Sequence, residues 1–110
     1  MLNRQHNTVF LGTELKLNLS IDPIGDLTMD DYDFKVEAYC SSRNVIRVYK
    51  ANATKVDENN YIIPVDTGAI GTGALKCKVT AYIEDPDFKD DGIRTEVVVV
   101  NTGINIVKGI

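Results

Sequence analysis

Apolar and polar residues alternate along most of this chain. Leu15, Leu17, Leu19 and Ile21 are interleaved with Glu14, Lys16, Asn18 and Ser20. Side chains at i and i+2 of an extended strand share a face, so this spacing predicts a strand buried on one side. Tyr32, Phe34, Val36, Ala38 and Cys40 alternate in the same way with Asp33, Lys35, Glu37 and Tyr39. Leu75, Cys77, Val79, Ala81 and Ile83 do so with Lys76, Lys78, Thr80 and Tyr82. Val45-Ile46-Arg47-Val48-Tyr49-Lys50 is β-branched and aromatic, as strands are. Tyr61-Ile62-Ile63-Pro64-Val65 reads as a further strand, and its proline, which cannot donate to a ladder, assigns it to a sheet edge. The four consecutive valines within Thr95–Val100 predict a strand buried on both faces. Asn101-Thr102-Gly103 predicts a turn into a last short strand, Ile104–Val107.

Between these runs lie turn-forming clusters. Asp22-Pro23-Ile24-Gly25-Asp26 and Ser41-Ser42-Arg43-Asn44 are two of them. Asp66 to Gly73 is a glycine-rich corner with room for one helical turn, and Glu84 to Gly92 is an acidic loop. No segment holds a helical period over three turns. Short strands with turn signals every ~8–12 residues predict an all-β, antiparallel β-sandwich of about seven to eight strands. The expected core is Leu15, Leu17, Leu19, Phe34, Val36, Ala38, Leu75, Cys77, Val79, Ala81 and Val98. Residues 1–7 read as an N-terminal arm, 8–107 as a single domain, and 108–110 as a tail.

Composition narrows the function classes. The 110 residues suit one domain, and a net charge of −4 with scattered basic residues disfavours capture of nucleic acid. No apolar stretch is long enough to span a bilayer as a helix, and the N-terminus lacks the apolar core of a signal peptide. Folding in a cytoplasm is therefore expected, with Cys40 and Cys77 as free thiols on the apolar phase of their strands.

Each candidate chemistry meets a simpler reading. Nucleophilic catalysis needs a positioned base, and the single histidine, His6, lies in the arm. Asp30, Asp31 and Asp33, and Glu84, Asp85, Asp87, Asp90 and Asp91, form oxygen-rich clusters of the kind that can bind calcium, but without the EF-hand spacing. They read as solvated turns. Paired carboxylates for glycoside hydrolysis require one of them desolvated in a cleft, whereas these acids fall on loops and strand exteriors. Gly68-Ala69-Ile70-Gly71-Thr72-Gly73 has the wrong glycine order for a dinucleotide fingerprint and precedes a strand. No catalytic residue, cofactor or metal is expected.

Surface residues are the remaining candidates. Tyr39 and Tyr82 fall on the outward phase of their strands, and tyrosine suits interfaces because it joins apolar area to a polar tip. With Lys35, Lys78 and Tyr49 they make a candidate contact patch. The two terminal arms are further candidates, as is strand addition beside Pro64.

The layout of Thr13–Leu19, Gly25–Thr28, Phe34–Tyr39, Pro64–Thr67, Gly73–Val79 and Thr102–Ile106 resembles the immunoglobulin-like module of phage virion proteins. That group includes the N-terminal domain of phage baseplate upper proteins and small auxiliary proteins of crAss-like phages. The resemblance implies an immunoglobulin-like sandwich and a non-enzymatic place in a virion, assembled in the host cytoplasm. The partners it implies are other virion proteins, either the major capsid protein or tail and fibre proteins, with neither nucleic acid nor membrane. Homo-oligomers are compatible with it. A single module fits a capsid auxiliary or decoration protein, with a tail or baseplate adaptor or fibre-anchoring module as the alternative. A carbohydrate- or ligand-binding sandwich module is the reading from another class.

Overall fold

A computed structural model of the chain describes residues 8–40, 44–88 and 90–109. The arm of residues 1–7, with His6, and the turn at Ser41-Ser42-Arg43 lie outside the described residues, as do Lys89 and Ile110.

Eight strands follow in order: β1 (Thr8–Phe10), β2 (Glu14–Ser20), β3 (Asp33–Tyr39), β4 (Val45–Tyr49), β5 (Thr54–Asp57), β6 (Asn60–Asp66), β7 (Gly73–Glu84) and β8 (Ile93–Val107). Two short 3-10 turns, Lys50–Asn52 and Thr67–Ala69, complete the described elements. One sheet has the order β1-β8-β7-β3-β4, and the other has the order β2-β6-β5. All pairings are antiparallel except β1 with β8, where Thr8, Val9 and Phe10 lie beside Asn105, Ile106 and Val107. The order is that of an immunoglobulin-like sandwich, with β8-β7-β3-β4 as its G-F-C-C′ strands and β2-β6-β5 as B-E-D.

The alternation in β3 and β7 puts Phe34, Val36, Ala38, Leu75, Cys77, Val79, Ala81 and Ile83 into the core, as expected. Leu15, Leu17 and Leu19 are half-buried and pack against it. Met29, Tyr61, Ile63, Val65, Ile70 and Ile106 also belong to the core. The Phe34 ring meets Tyr61 edge-on, at 5.2 Å between centroids and an interplanar angle of 85°. This is a favoured aromatic geometry.

A polar clasp fixes the loop that carries Met29. Thr28 donates its backbone N–H to Asp31 Oδ2 at 2.8 Å, and Met29 N–H donates to the Glu58 carbonyl at 3.0 Å. The Tyr61 hydroxyl donates to Asp30 Oδ1 at 2.7 Å, and Lys55 Nζ to Asp30 Oδ2 at 2.6 Å. Lys50 Nζ donates to the Tyr32 carbonyl at 2.8 Å and sits 5.9 Å from the Phe34 ring centroid. Hydrogen bonds from Lys55 and Tyr61 hold the Asp30 carboxyl below its usual range. Burial, followed by the Asp30 contact, pushes the Tyr61 phenol up to about 12.

Three expectations need correction. First, Pro64 is not on an edge strand: β6 is the middle strand of its sheet. Proline is tolerated there because β5 pairs with β6 no further than Ile62, so at Pro64 only the β2 side of the ladder is occupied. Second, Asn101-Thr102-Gly103 does not end a strand. β8 runs through it, with a register shift against β7 between Ala74 and Lys76 and Gly103 at φ 76°. A bulge absorbs the positive φ without reversing the chain. Third, Val97 to Val100 are not buried on both faces, and Val98 is not in the core: the four are 51%, 56%, 56% and 42% exposed.

Candidate functional site

Cross-strand register explains the exposed valines. Val98 pairs with Val79 and Val100 with Cys77, so both share the interior face of the larger sheet. Val97 lies beside Thr80 and Val99 beside Lys78, on the outer face. The interior pair stays exposed because the opposing sheet has three strands against five, and its edge strand is β2. No described strand lies beyond β2 on that side.

β8 is also open along its own edge. Its far side meets β1 only at Asn105 to Val107, so from Arg94 to Thr102 its outward backbone groups have no strand partner among the described residues. Between this edge and β2 runs an apolar groove made of two adjoining hollows of about 220 and 290 Å³. Leu19 and Val100 line both hollows, Ile21 and Val98 the first, and Leu17 and Ile104 the second. Tyr32, 4% exposed, forms part of the wall, and its hydroxyl is buried without a hydrogen-bond partner. Burial and the nearby Glu96 carboxylate raise the Tyr32 pKa. Glu96, which lines the first hollow, pairs with Arg94, and Arg94 also pairs with Asp85 at 3.2 Å. Such an arrangement can take an extended backbone, whose amides pair with β8 while apolar side chains enter the groove.

The residues expected to form a contact patch share the outer face of the larger sheet. Tyr49, Lys35, Thr80 and Val97 form one cross-strand row, and Arg47, Glu37, Lys78 and Val99 the next. Tyr39 and Tyr82 stand at opposite ends, opposite Lys76 and Asp33 respectively. Six positions of β7 separate those two rows, roughly 20 Å at strand rise, so the two tyrosines do not touch. Tyr49 is 52% exposed, Lys78 is exposed, and Lys35, Tyr39 and Tyr82 are half-buried. The face has four cations, Lys35, Arg47, Lys76 and Lys78, against Asp33, Glu37 and Glu84, and Arg47 is paired with Glu37 at 3.1 Å.

The acidic clusters hold turns together. Asp85 Oδ1 accepts from Asp87 N–H at 3.0 Å, and Asp91 Oδ1 from Ile93 N–H at 2.9 Å. Cys40 and Cys77 are buried and free. Cys77 lies on β7 and Cys40 directly follows the neighbouring β3, so both belong to one sheet and do not face each other across the sandwich. Burial pushes the Cys77 thiol up to about 11 and raises that of Cys40, so neither is a ready nucleophile.

The open β8 edge was not apparent from sequence. A run of one residue type carries no alternation, so its phase is invisible. Comparison of the chain with protein-family models, curated proteins and solved structures finds no match.

Proposed function

We propose that this domain is a non-enzymatic structural component of a phage virion, a capsid auxiliary protein that docks through its surface. The observation that carries the docking role is the uncharged valine run, Val97 to Val100, exposed on a stretch of β8 edge with no strand partner among the described residues. Natural sheet edges are ordinarily short, charged, bulged or covered, because bare ones pair with other chains. An edge left bare and apolar is suited to be covered by a neighbour. The sandwich offers two further contact elements, the outer face of the larger sheet and the residues that precede β1 and follow β8 in sequence. The kind of assembly rests on the resemblance of the strand layout to phage virion modules.

The test is co-sedimentation of the purified chain with empty capsids, and separately with tails, of the same particle. Stoichiometric binding to capsids is the expected result. Binding to tails alone would move the chain to a tail or fibre position, and binding to neither would overturn the virion reading.

A further inference from the structure

We propose that the open edge of β8 pairs antiparallel with the same edge of a second copy of this chain, joining two five-stranded sheets into one across a two-fold axis. The inference rests on the assembly reading above and gives it a partner and a surface.

The edges of the two sheets are not alike. β5 carries Lys55 and Asp57 and a register shift. β4 carries Arg47 at its centre, and β2 turns Glu14, Lys16, Asn18 and Ser20 to solvent. Charge and irregularity discourage strand addition at each of these. The β8 edge has neither between Val97 and Val100.

The edge is compatible with itself. Opposed residues of an antiparallel pair point to the same face, so a two-fold axis perpendicular to the sheet sets one residue opposite its own copy. With Val98 at the axis, Val97 faces Val99, Glu96 faces Val100 and Arg94 faces Thr102. With Val99 at the axis, Val98 faces Val100, Val97 faces Asn101 and Glu96 faces Thr102. Neither register opposes like charges, and Glu96 is already paired with Arg94. Valine meets valine at the centre of both, a favourable cross-strand pair. The second copy's Val98 and Val100 then extend the interior face at the mouth of the groove.

The chain's own first residues fit the groove less well. Met1 and Leu2 are followed by Asn3, Arg4, Gln5, His6 and Asn7. Five consecutive polar residues do not complement walls of leucine, isoleucine and valine. The edge from Arg94 to Thr102 is small beside the ~800 Å² per partner of a standard interface. Pairing is therefore weak in dilute protein and favoured when copies are held close together on a larger surface.

Sedimentation velocity on the full chain, from low to high micromolar, tests this. The expected result is a concentration-dependent dimer that Val98→Lys weakens at least about tenfold, with an unchanged circular dichroism spectrum and melting curve. Mild oxidation of Val98→Cys and Val99→Cys supplies a positive test. Directly opposed Cα atoms are about 4.5–5.5 Å apart, within disulfide reach. One of these variants should cross-link far more than Val56→Cys on the bulged β5 edge, while the buried Cys40 and Cys77 stay silent. A monomer at all concentrations, or cross-linking no greater than that of Val56→Cys, overturns the proposal. So does a dimer lost only when residues 2–6 are replaced by a Gly-Ser run, which would assign the contact to that segment. Capsid binding without self-association sinks this inference and leaves the virion reading intact; self-association without particle binding does the reverse.

Discussion

Val36, Val79 and Val98 stand side by side in one row across β3, β7 and β8, on the same face of the same sheet. The first two are 1% and 4% exposed, and the third is 56% exposed. Residue type, strand geometry and facing direction are shared, so none of them accounts for the difference. What changes is the layer opposite. Over β3 and β7 lie β6 and the Tyr61–Phe34 contact, whereas beyond β2 nothing described covers β8. Alternation decides which way a side chain points, and the opposing sheet decides whether it is buried.

That contrast can be broken by substitution, beginning with its firmest point. Phe34→Ala removes a ring that is 1% exposed and wedged against Tyr61. The expected loss is about 3–5 kcal/mol, read from urea unfolding at fixed pH. A loss under 1 kcal/mol would mean that the closed half of the sandwich is loosely packed. Next comes Val36→Ala, which deletes two buried methyl groups and should cost about 2–3 kcal/mol.

Tyr61→Phe sharpens the comparison through pH, because the clasp it belongs to lies over the closed half of the sandwich. The Asp30 carboxyl is held below 3.8, so its contribution to stability is present above that pH and is lost as pH falls through the folded-state value. Lys55 is the larger cause of that shift, so Tyr61→Phe should soften the acid limb without removing it. The Tyr61 phenol itself is raised from 10.0 to about 12. Its contribution is complete below pH 10 and is lost as pH rises toward 12, so the variant should flatten the alkaline limb. Unfolding curves of the two proteins from acid to alkali provide the check, and superimposable limbs would argue against the Tyr61–Asp30 bond in solution.

The smallest effect belongs to Val98→Ala, the third member of the row. In dilute protein it should cost under about 1 kcal/mol, little more than a difference in strand preference. A cost matching that of Val36→Ala would show that Val98 is covered even in the monomer.

Much of this architecture is legible in the sequence wherever one face differs chemically from the other. β2, β3 and β7 declare their inward residues through alternation with mostly polar or charged residues. β5 has no buried residue and β1 is three residues long, so neither leaves an apolar signal. Pro64 suggests an edge because its sequence cannot show that the pairing of β5 with β6 stops at Ile62. Gly103 suggests a turn because a bulge and a turn both recruit glycine to positive φ. Uniform valines promise burial on both sides; the strand count of the other sheet cancels that promise for Val98 and Val100, and Val97 and Val99 lie on the outer face.

The parallel pairing of β1 with β8 has a mechanical consequence. Thr8 enters this short ladder at the Asn105 end, and β8 leaves it at Val107, beside Phe10. A tension that draws the incoming and outgoing chain apart therefore acts along the strands and in opposite directions. All the rungs of the ladder carry the load together, so they must fail at once and cannot unzip singly. A domain pulled by its ends in this way resists as a shear joint.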